Sequence, residues 1–118
     1  MSLVDGFGSE VLGQSRPTGT GTADLYSPAT NRRAIITQVV IANTTALAAA
    51  ASVFCDADGN TKDGTTALMY AKSIAANTSD VTLVFADGIE IPAAGTIGIQ
   101  AGTADALCFT LLGRELDA

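Results

Sequence analysis

The chain has 118 residues and a mass of 11.9 kDa, and 47% of its residues are hydrophobic, which is enough for one domain with a single core. Six basic and twelve acidic residues give a net charge of -6, the wrong sign for a protein that holds nucleic acid through its phosphates. The chain has no histidine, so it lacks the commonest general base and the commonest zinc ligand. Composition therefore argues against a nucleic-acid partner and against an enzyme.

Glycine, serine, proline and threonine interrupt every periodic run in the first 21 residues. We therefore predict an extended N-terminal arm over 1–21 and a folded domain over 22–118. The opening residues show neither region of a signal peptide, and no stretch approaches the roughly 20 apolar residues of a membrane span, so we expect no membrane partner. The arm nevertheless carries several apolar side chains, namely Leu3, Val4, Phe7, Val11 and Leu12.

After the arm, short apolar runs alternate with Gly, Asn, Asp and Pro, the pattern typical of an all-β sandwich or barrel. Val81, Leu83 and Phe85 fall on one face of their segment, as in a half-buried strand. The run 34–42 instead has apolar residues on both faces, which predicts a central strand covered by the opposite sheet and by another subunit. The eight predicted strands are 23–26, 34–42, 50–56, 66–73, 80–86, 89–91, 96–101 and 106–113.

The segments between these strands carry recognisable turn chemistry. Asp87-Gly88 accepts positive φ angles at low cost and lies between two apolar runs, so it predicts a tight hairpin. The alanine-rich stretch 45–51 permits a short helical turn, and it suits a closely packed strand as well. Asn43 and Asn77 each begin an Asn-x-Ser/Thr sequence, and without a signal peptide we interpret both as loop asparagines.

Residues that carry chemistry are few. The polar loop 56–64 contains carboxylates and an amide suited to calcium, but it lacks the closing glutamate of an EF-hand, and Lys62 occupies its middle, so we predict an ordinary acidic turn. No Ser-x-x-Lys, Gly-x-Gly-x-x-Gly or Walker sequence is present, so we predict no catalytic residue, cofactor or metal. Cys55 and Cys108 lie in separate apolar runs, which favours buried reduced thiols, while a disulfide stays open if their strands are neighbours.

A series of turn and packing motifs runs from about residue 22 to 113. It begins with Leu25-Tyr26-Ser-Pro28-Ala29, a basic turn, and a hydrophobic strand that ends in Ala42-Asn43-Thr44. The later motifs are Val53-Phe-Cys-Asp56-Ala-Asp-Gly59, Ile74-Ala-Ala-Asn-Thr78, Ile91-Pro-Ala-Ala-Gly-Thr-Ile97 and Ala101-Gly-Thr-Ala-Asp-Ala-Leu107. Their order resembles a group of small β-sandwich virion proteins of tailed bacteriophages, which act as capsid decoration (cement) proteins and as head or tail spike components.

The resemblance implies a single antiparallel, jelly-roll-like β-sandwich that forms a homotrimer. It implies binding to the major capsid protein or another virion protein, and stabilisation of the head shell. A tail, spike or fibre component involved in host attachment is the alternative, and a carbohydrate-binding module is a more remote one. The expected location is the capsid exterior or the tail, after synthesis in the cytoplasm of the bacterial host.

Partner-binding residues are expected in two places. The apolar side chains of the arm are the candidate anchor to the particle, and the basic turn that enters the long strand offers two cations to carboxylates of a partner, with a solvated turn as the alternative. Deletion of 1–21 is then expected to leave a folded oligomer that no longer binds particles. The candidate residues are Leu3, Val4, Phe7, Val11, Leu12, Arg32 and Arg33.

Overall fold

The computed structural model describes residues 10–117, with the side chains of 78–82 left out of the description. Within 10–117 the regular elements are all strands, and there is no helix long and apolar enough to cross a membrane. The strands are Glu10–Ser15 (β1), Ala23–Tyr26 (β2), Arg32–Asn43 (β3), Ala49–Asp56 (β4), Ala67–Ile74 (β5), Thr78–Pro92 (β6), Thr96–Ala101 (β7) and Leu107–Asp117 (β8).

The strands form two four-stranded antiparallel sheets. Sheet A has the order β1-β8-β3-β6, and sheet B has the order β2-β7-β4-β5. The strand pairs are nested along the chain, because β1 pairs with β8, β2 with β7, β3 with β6 and β4 with β5. This nesting is the topology of an eight-stranded jelly roll, so the predicted β-sandwich is confirmed.

The core lies between the inward faces of the two sheets. Each strand alternates, so every second side chain points to the opposite sheet. Ala49 and Ala51 belong to β4 and are buried in this core, so the alanine-rich stretch forms a packed strand from Ala49 onward. Among the fully buried side chains are Ile36, Val39, Ile41, Val53, Ile97, Ile99, Leu107, Phe109 and Leu111.

The predicted hairpin at Asp87-Gly88 is wrong, because the chain continues through it as β6. Ile36 of β3 pairs with Ile89, and Gln38 pairs with Val84. Residues 85–88 therefore form an irregularity opposite a single residue of β3, so both halves of β6 stay on the same neighbour. Gly88 has a φ of 77°, and a Cβ there would lie 2.5 Å from the side chain of Ile35. The Asp-Gly pair correctly indicated a residue with a left-handed backbone conformation. In the structure this residue lies in a bulge and not in a hairpin turn.

The N-terminal boundary also differs from the sequence-based expectation. Glu10–Ser15, which the sequence placed in the arm, is the edge strand of sheet A and pairs with β8. Gly13, one of the glycines that broke the sequence pattern, is required for packing, because a Cβ there would lie 2.6 Å from the carbonyl oxygen of Leu25 in β2. The segment 1–9 lies outside the described residues.

Asn43 is buried at the end of β3, although the sequence placed it in a loop. Its Nδ2 donates to the carbonyl of Leu47 at 2.9 Å and to the carbonyl of Ile74 at 3.1 Å. Its Oδ1 accepts from the backbone N–H of Thr45 at 2.9 Å and from the Thr45 hydroxyl at 2.8 Å. The amide therefore uses both donors and accepts twice, and it ties the β3–β4 connection to the end of β5.

Replacement of this amide is expected to destabilise the protein. Asn43→Ala should lower the free energy of unfolding by about 1–3 kcal/mol, because a buried carbonyl loses its side-chain donor. Thr45→Ala is the matched control: it leaves the donors of Asn43 in place and should cost less than about 1 kcal/mol. Urea unfolding followed by circular dichroism measures both, and equal losses for the two variants would contradict a special role for Asn43.

Candidate interaction surface

The outer face of sheet A points away from sheet B, and a group of uncharged residues lies on it among the side chains that the structure describes. Val39 points into the core, so its neighbours Gln38 and Val40 point outward. The strand register places one outward residue of each neighbouring strand beside them. We call this set the uncharged face: Val11, Gln14, Gln38, Val40, Ala42, Val84, Cys108, Thr110 and Leu112.

Apolar side chains on the uncharged face are strongly exposed. Val84 is 70% exposed and Val11 is 59% exposed, whereas a valine gains about 1.5–3 kcal/mol when it is fully buried. Gln14 Nε2 donates to Thr110 Oγ1 at 2.8 Å, so polar groups of the face can be satisfied by one another. Exposed apolar side chains that share one face of a folded domain with uncharged neighbours suit an interaction surface.

Charges appear at one end of the same sheet face. In the row of Ile35, the register places Arg114 on one side and Glu90 on the other. The Arg33 Nη1 lies 3.5 Å from Glu90 Oε2. The end of the face near β6's Pro92 thus carries charges of both signs, while the uncharged face carries neither.

The structure separates the apolar residues predicted to bind a partner. Val11 is on the uncharged face, and the adjacent Leu12 packs partly buried against the core. Adjacent side chains of a strand point to opposite faces of the sheet, so these two neighbours lie on opposite sides, and the register shifts between Val11 and Gly13. The other predicted anchors, Leu3, Val4 and Phe7, lie outside the described residues.

Both predicted arginines pair with carboxylates of their own chain. Arg32 Nε lies 3.0 Å from Glu115 Oε1, and its Nη1 lies 2.5 Å from Asp117 Oδ1. Arg33 pairs with Glu90 and also donates to the backbone carbonyl of Asp117 at 3.3 Å. The basic turn thus binds the last strand of the same molecule.

Glu115 joins the two sheets at this end of the sandwich. Its carboxylate accepts a hydrogen bond from the hydroxyl of Tyr26, which belongs to sheet B, and another from Arg32 of sheet A. The hydrogen bond from Tyr26, supported by Arg32, holds the pKa of Glu115 below its ordinary value of 4.5. Burial, followed by the neighbouring Glu115, raises the pKa of Tyr26 above its ordinary value. The phenol therefore stays protonated and donates to an ionised carboxylate.

Acid is expected to weaken the folded state through Glu115. Because the folded pKa is lower than the unfolded one, the stabilisation is present above about pH 4.5 and is lost as the pH falls through the folded pKa. Glu115→Gln should lower stability at pH 7 and make the decline in acid shallower. Urea midpoints measured from pH 7 to pH 2.5 test this, with Asp87→Asn, an exposed residue of β6, as control. A decline in Glu115→Gln as steep as in the wild type would contradict the assignment.

The acidic loop after β4 folds onto the outer face of sheet B. Lys62 Nζ lies 2.5 Å from Asp24 Oδ1 and also donates to Asn60. Its aliphatic stem runs over Gly98 of β7, where a Cβ would meet Lys62 Cδ at 2.6 Å. The Lys62 side chain is only 12% exposed, so it acts as a clamp between the loop and the sheet.

The carboxylates of this loop close local turns. Asp56 accepts from the backbone N–H of Thr61 at 2.8 Å, and these backbone hydrogen bonds lower the pKa of Asp56. Asp63 accepts from the N–H of Thr65 at 2.8 Å. Over residues 10–117 there is no group of three or more metal-binding side chains.

Tyr70 stands beside a small groove on the outer face of sheet B. Its side chain is 64% exposed, and its ring contacts Phe54 edge-on, with 6.3 Å between ring centroids. Phe54 is 1% exposed although it lies outside the main core cluster, so Tyr70 stands on a buried aromatic. The groove has a volume of about 190 Å³ and is lined by Ala50, Ser52, Tyr70, Ala71, Gln100 and Gly102.

The groove has an unusual backbone at one edge. Ala71 has a φ of 50°, a conformation that costs a non-glycine residue energy. Its N–H donates to Ser52 Oγ at 2.8 Å, and Gln100 Nε2 donates to the carbonyl of Thr20 at 3.0 Å. Neither Tyr70 nor Val84 was predicted from the sequence as a functional residue. The signal available for Val84 was its apolar side chain at an outward position of the segment 80–86.

The two cysteines are free thiols in different sheets. Cys55 is in β4 and Cys108 is in β8, and both are partly buried. Burial raises the pKa of the Cys55 thiol, which makes it less reactive. The structure thus contains reduced thiols, one of which, Cys108, is on the uncharged face.

The chain matches no family model and no curated protein. Among solved structures, a chain in the "Structure of infectious bursal disease virus Gt strain" aligns with 92% of this chain, with 15% sequence identity and a TM-score of 0.34. The alignment covers 33% of that chain, so the present protein spans about a third of its length. A likeness with so low a TM-score carries no argument about the function of this chain.

Proposed function

We propose that this protein is a structural component of a virion, namely a trimeric capsid decoration protein of a tailed bacteriophage that binds and stabilises the head shell. The observation that carries the proposal is the uncharged face, with Val84 and Val11 exposed on it. Exposed apolar side chains destabilise a lone subunit in water and stabilise a contact. The proposed role is therefore assembly without catalysis.

The rest of the domain needs no partner to complete its core. The core between the two sheets is built within one chain, with side chains such as Leu25, Leu83 and Phe85 packed partly buried against it. The buried side-chain polar atoms of the described part all have hydrogen-bond partners. An apolar outer face on such a sandwich is therefore in excess of what folding requires. The motifs of residues 22–113 support a place in a phage particle, since they follow the order seen in phage decoration proteins.

The proposal assigns shell binding to the segment before β1. Its apolar residues Leu3, Val4 and Phe7 precede Glu10, and β1 begins at an edge of sheet A. Because Glu10–Ser15 belongs to the sandwich, deletion of all of 1–21 would remove a strand together with the arm. The sharper deletion removes 1–9 and leaves β1 in place.

The purified chain is expected to be an oligomer that coats phage heads. Light scattering after size exclusion should give a native mass of about 36 kDa, three copies of 11.9 kDa. The protein should also co-sediment with heads of its own phage, and the number of copies per head should match the symmetry of the shell. Removal of 1–9 should keep the mass and abolish co-sedimentation. Undiminished binding by the truncated chain would refute the anchor, and binding to tails in place of heads would favour the alternative location.

A tail, spike or fibre component that contacts a host saccharide is the second candidate. The observation that favours it is the Tyr70 groove, since an exposed aromatic ring beside hydroxyl and amide groups suits a sugar ring. Phe54 and Phe109 are buried, and Tyr26 and Phe85 pack against the core, which leaves Tyr70 as the exposed aromatic of the described residues. A carbohydrate-binding module would use the same groove.

Sugar binding is expected to depend on Tyr70 if this second function holds. In NMR titrations with oligomers of N-acetylglucosamine and of galactose, shifts should concentrate at Tyr70, Ser52 and Gln100. Tyr70→Ala should weaken binding at least tenfold, whereas Leu47→Ala, an equally exposed apolar residue elsewhere, should leave it unchanged. Scattered shifts, or binding that survives Tyr70→Ala, would count against the saccharide function.

A further inference from the structure

The uncharged face extends across all four strands of sheet A. Val11 is on β1 and Val84 is on β6, the two edge strands of the sheet. Leu112 and Gln38 lie between them in the same row of the register. With strands about 4.8 Å apart, the row is about 14 Å wide. An exposed apolar side chain therefore stands at each margin of the face.

We infer that the uncharged face is the subunit interface and that its occupant is a second copy of this chain. The inference rests on the proposed function, because it assigns a surface to the oligomer proposed there. In this arrangement two different surfaces make the two kinds of contact. The uncharged face contacts other copies of the chain, and another part of the molecule binds the shell.

Charge is the first argument for a second copy. Each chain carries a net charge of -6, so two copies repel each other wherever their carboxylates meet. None of the residues of the uncharged face carries a carboxylate. The exposed carboxylates that the structure describes on sheet A lie outside this face, at Glu10, Asp87, Glu90 and Asp117, and others such as Asp24 and Asp58 lie on sheet B or in loops. The uncharged face is thus a place where copies can meet without bringing like charges together.

The charged end of the sheet is the second argument. Arg33 and Glu90 form an ion pair there, and Arg114 lies in the same region. Because charges of both signs lie close together within one subunit there, this border of the face adds no net repulsion between identical subunits. A partner with a strongly basic or acidic surface would meet no opposite net charge on this face.

Size is the third argument, and it favours more than two copies. Four strands about 4.8 Å apart, over about 20 Å of strand, give roughly 400 Å² of face. A stable interface takes about 800 Å² from each partner, so one face against another falls short. In a ring of three, each subunit meets a neighbour at both margins, and the edges of β1 and β6 add to the contact.

The test compares glutamate substitutions inside and outside the face. Val84→Glu and Val11→Glu place a charge at the two margins, while Leu47→Glu adds the same charge at a residue of the β3–β4 connection that is 77% exposed. All three sites are exposed, so each variant should fold, and circular dichroism checks this. Light scattering of the full chain, in low salt and in 0.5 M ammonium sulfate, gives the mass of each variant.

If the uncharged face is the subunit interface, Val84→Glu and Val11→Glu should each have a native mass of about 12 kDa. Leu47→Glu should keep the native mass of the wild type. Ammonium sulfate should strengthen wild-type association, because apolar contacts strengthen in such salts. An oligomeric Val84→Glu overturns the inference and leaves the proposed function standing, and so does dissociation of Leu47→Glu. An oligomeric Val84→Glu that no longer binds heads assigns the face to the shell protein. A monomeric wild type removes both the inference and the proposed trimer.

Cys108 supplies a second measurement that needs no substitution. It is on the uncharged face beside Ala42 in the register, whereas Cys55 is in sheet B. In the wild-type chain, alkylation by N-ethylmaleimide at Cys108, followed by peptide mass spectrometry, should slow several-fold as the protein concentration rises into the oligomeric range. The rate at Cys55 should not change. Equal rates for Cys108 at both concentrations would overturn the inference.

Discussion

Strand β3 imposes the constraint on which the rest of the structure depends. It is an interior strand of sheet A, paired with β8 on one side and β6 on the other, and apolar residues occupy both of its faces. A sandwich can bury only the inward face, which holds Ile36, Val39 and Ile41 at 0–1% exposure. Val40 and Ala42 face outward and remain half-buried. Strand β3 thus carries apolar side chains on both faces of the sheet, one set buried in the core and the other partly exposed on the outer face.

The two outer faces of the sandwich differ in how far a loop covers them. On sheet B, the loop after β4 lies over the strands, with Lys62 clamped to Asp24 and its stem across Gly98. Phe54 of the same sheet is buried although it lies outside the main core, and its ring contacts Tyr70. On sheet A, Val84 keeps 70% of its surface exposed. The loop thus covers part of the outer face of sheet B, whereas the apolar side chain of Val84 on the outer face of sheet A stays uncovered.

Short apolar runs divided by turn residues, with period-two alternation in some of them, were enough to predict an all-β fold. Segments 23–26 and 96–101 coincide with β2 and β7. The failures have local causes. Gly13 was taken as a break in the pattern, yet it is the residue that lets β1 pass close to Leu25. The Asp87-Gly88 pair correctly marked a positive φ, but whether such a residue ends in a hairpin or a bulge depends on which strand lies alongside, and that is a long-range property.

The candidate surface was predictable in part. The two-faced character of 34–42 could be seen in the sequence, and it led to the expectation of a covering subunit. The neighbours that complete the face could not be, because Val11, Val84 and Leu112 come from three distant parts of the chain and meet only through the register. The ion pairs of the arginines were not predictable for the same reason: Glu115 and Glu90 are far away in sequence and adjacent in the sheet. Because these pairs form within the chain, they neutralise the charges at one end of the outer face and leave Val11 and Val84 as its strongly exposed apolar side chains.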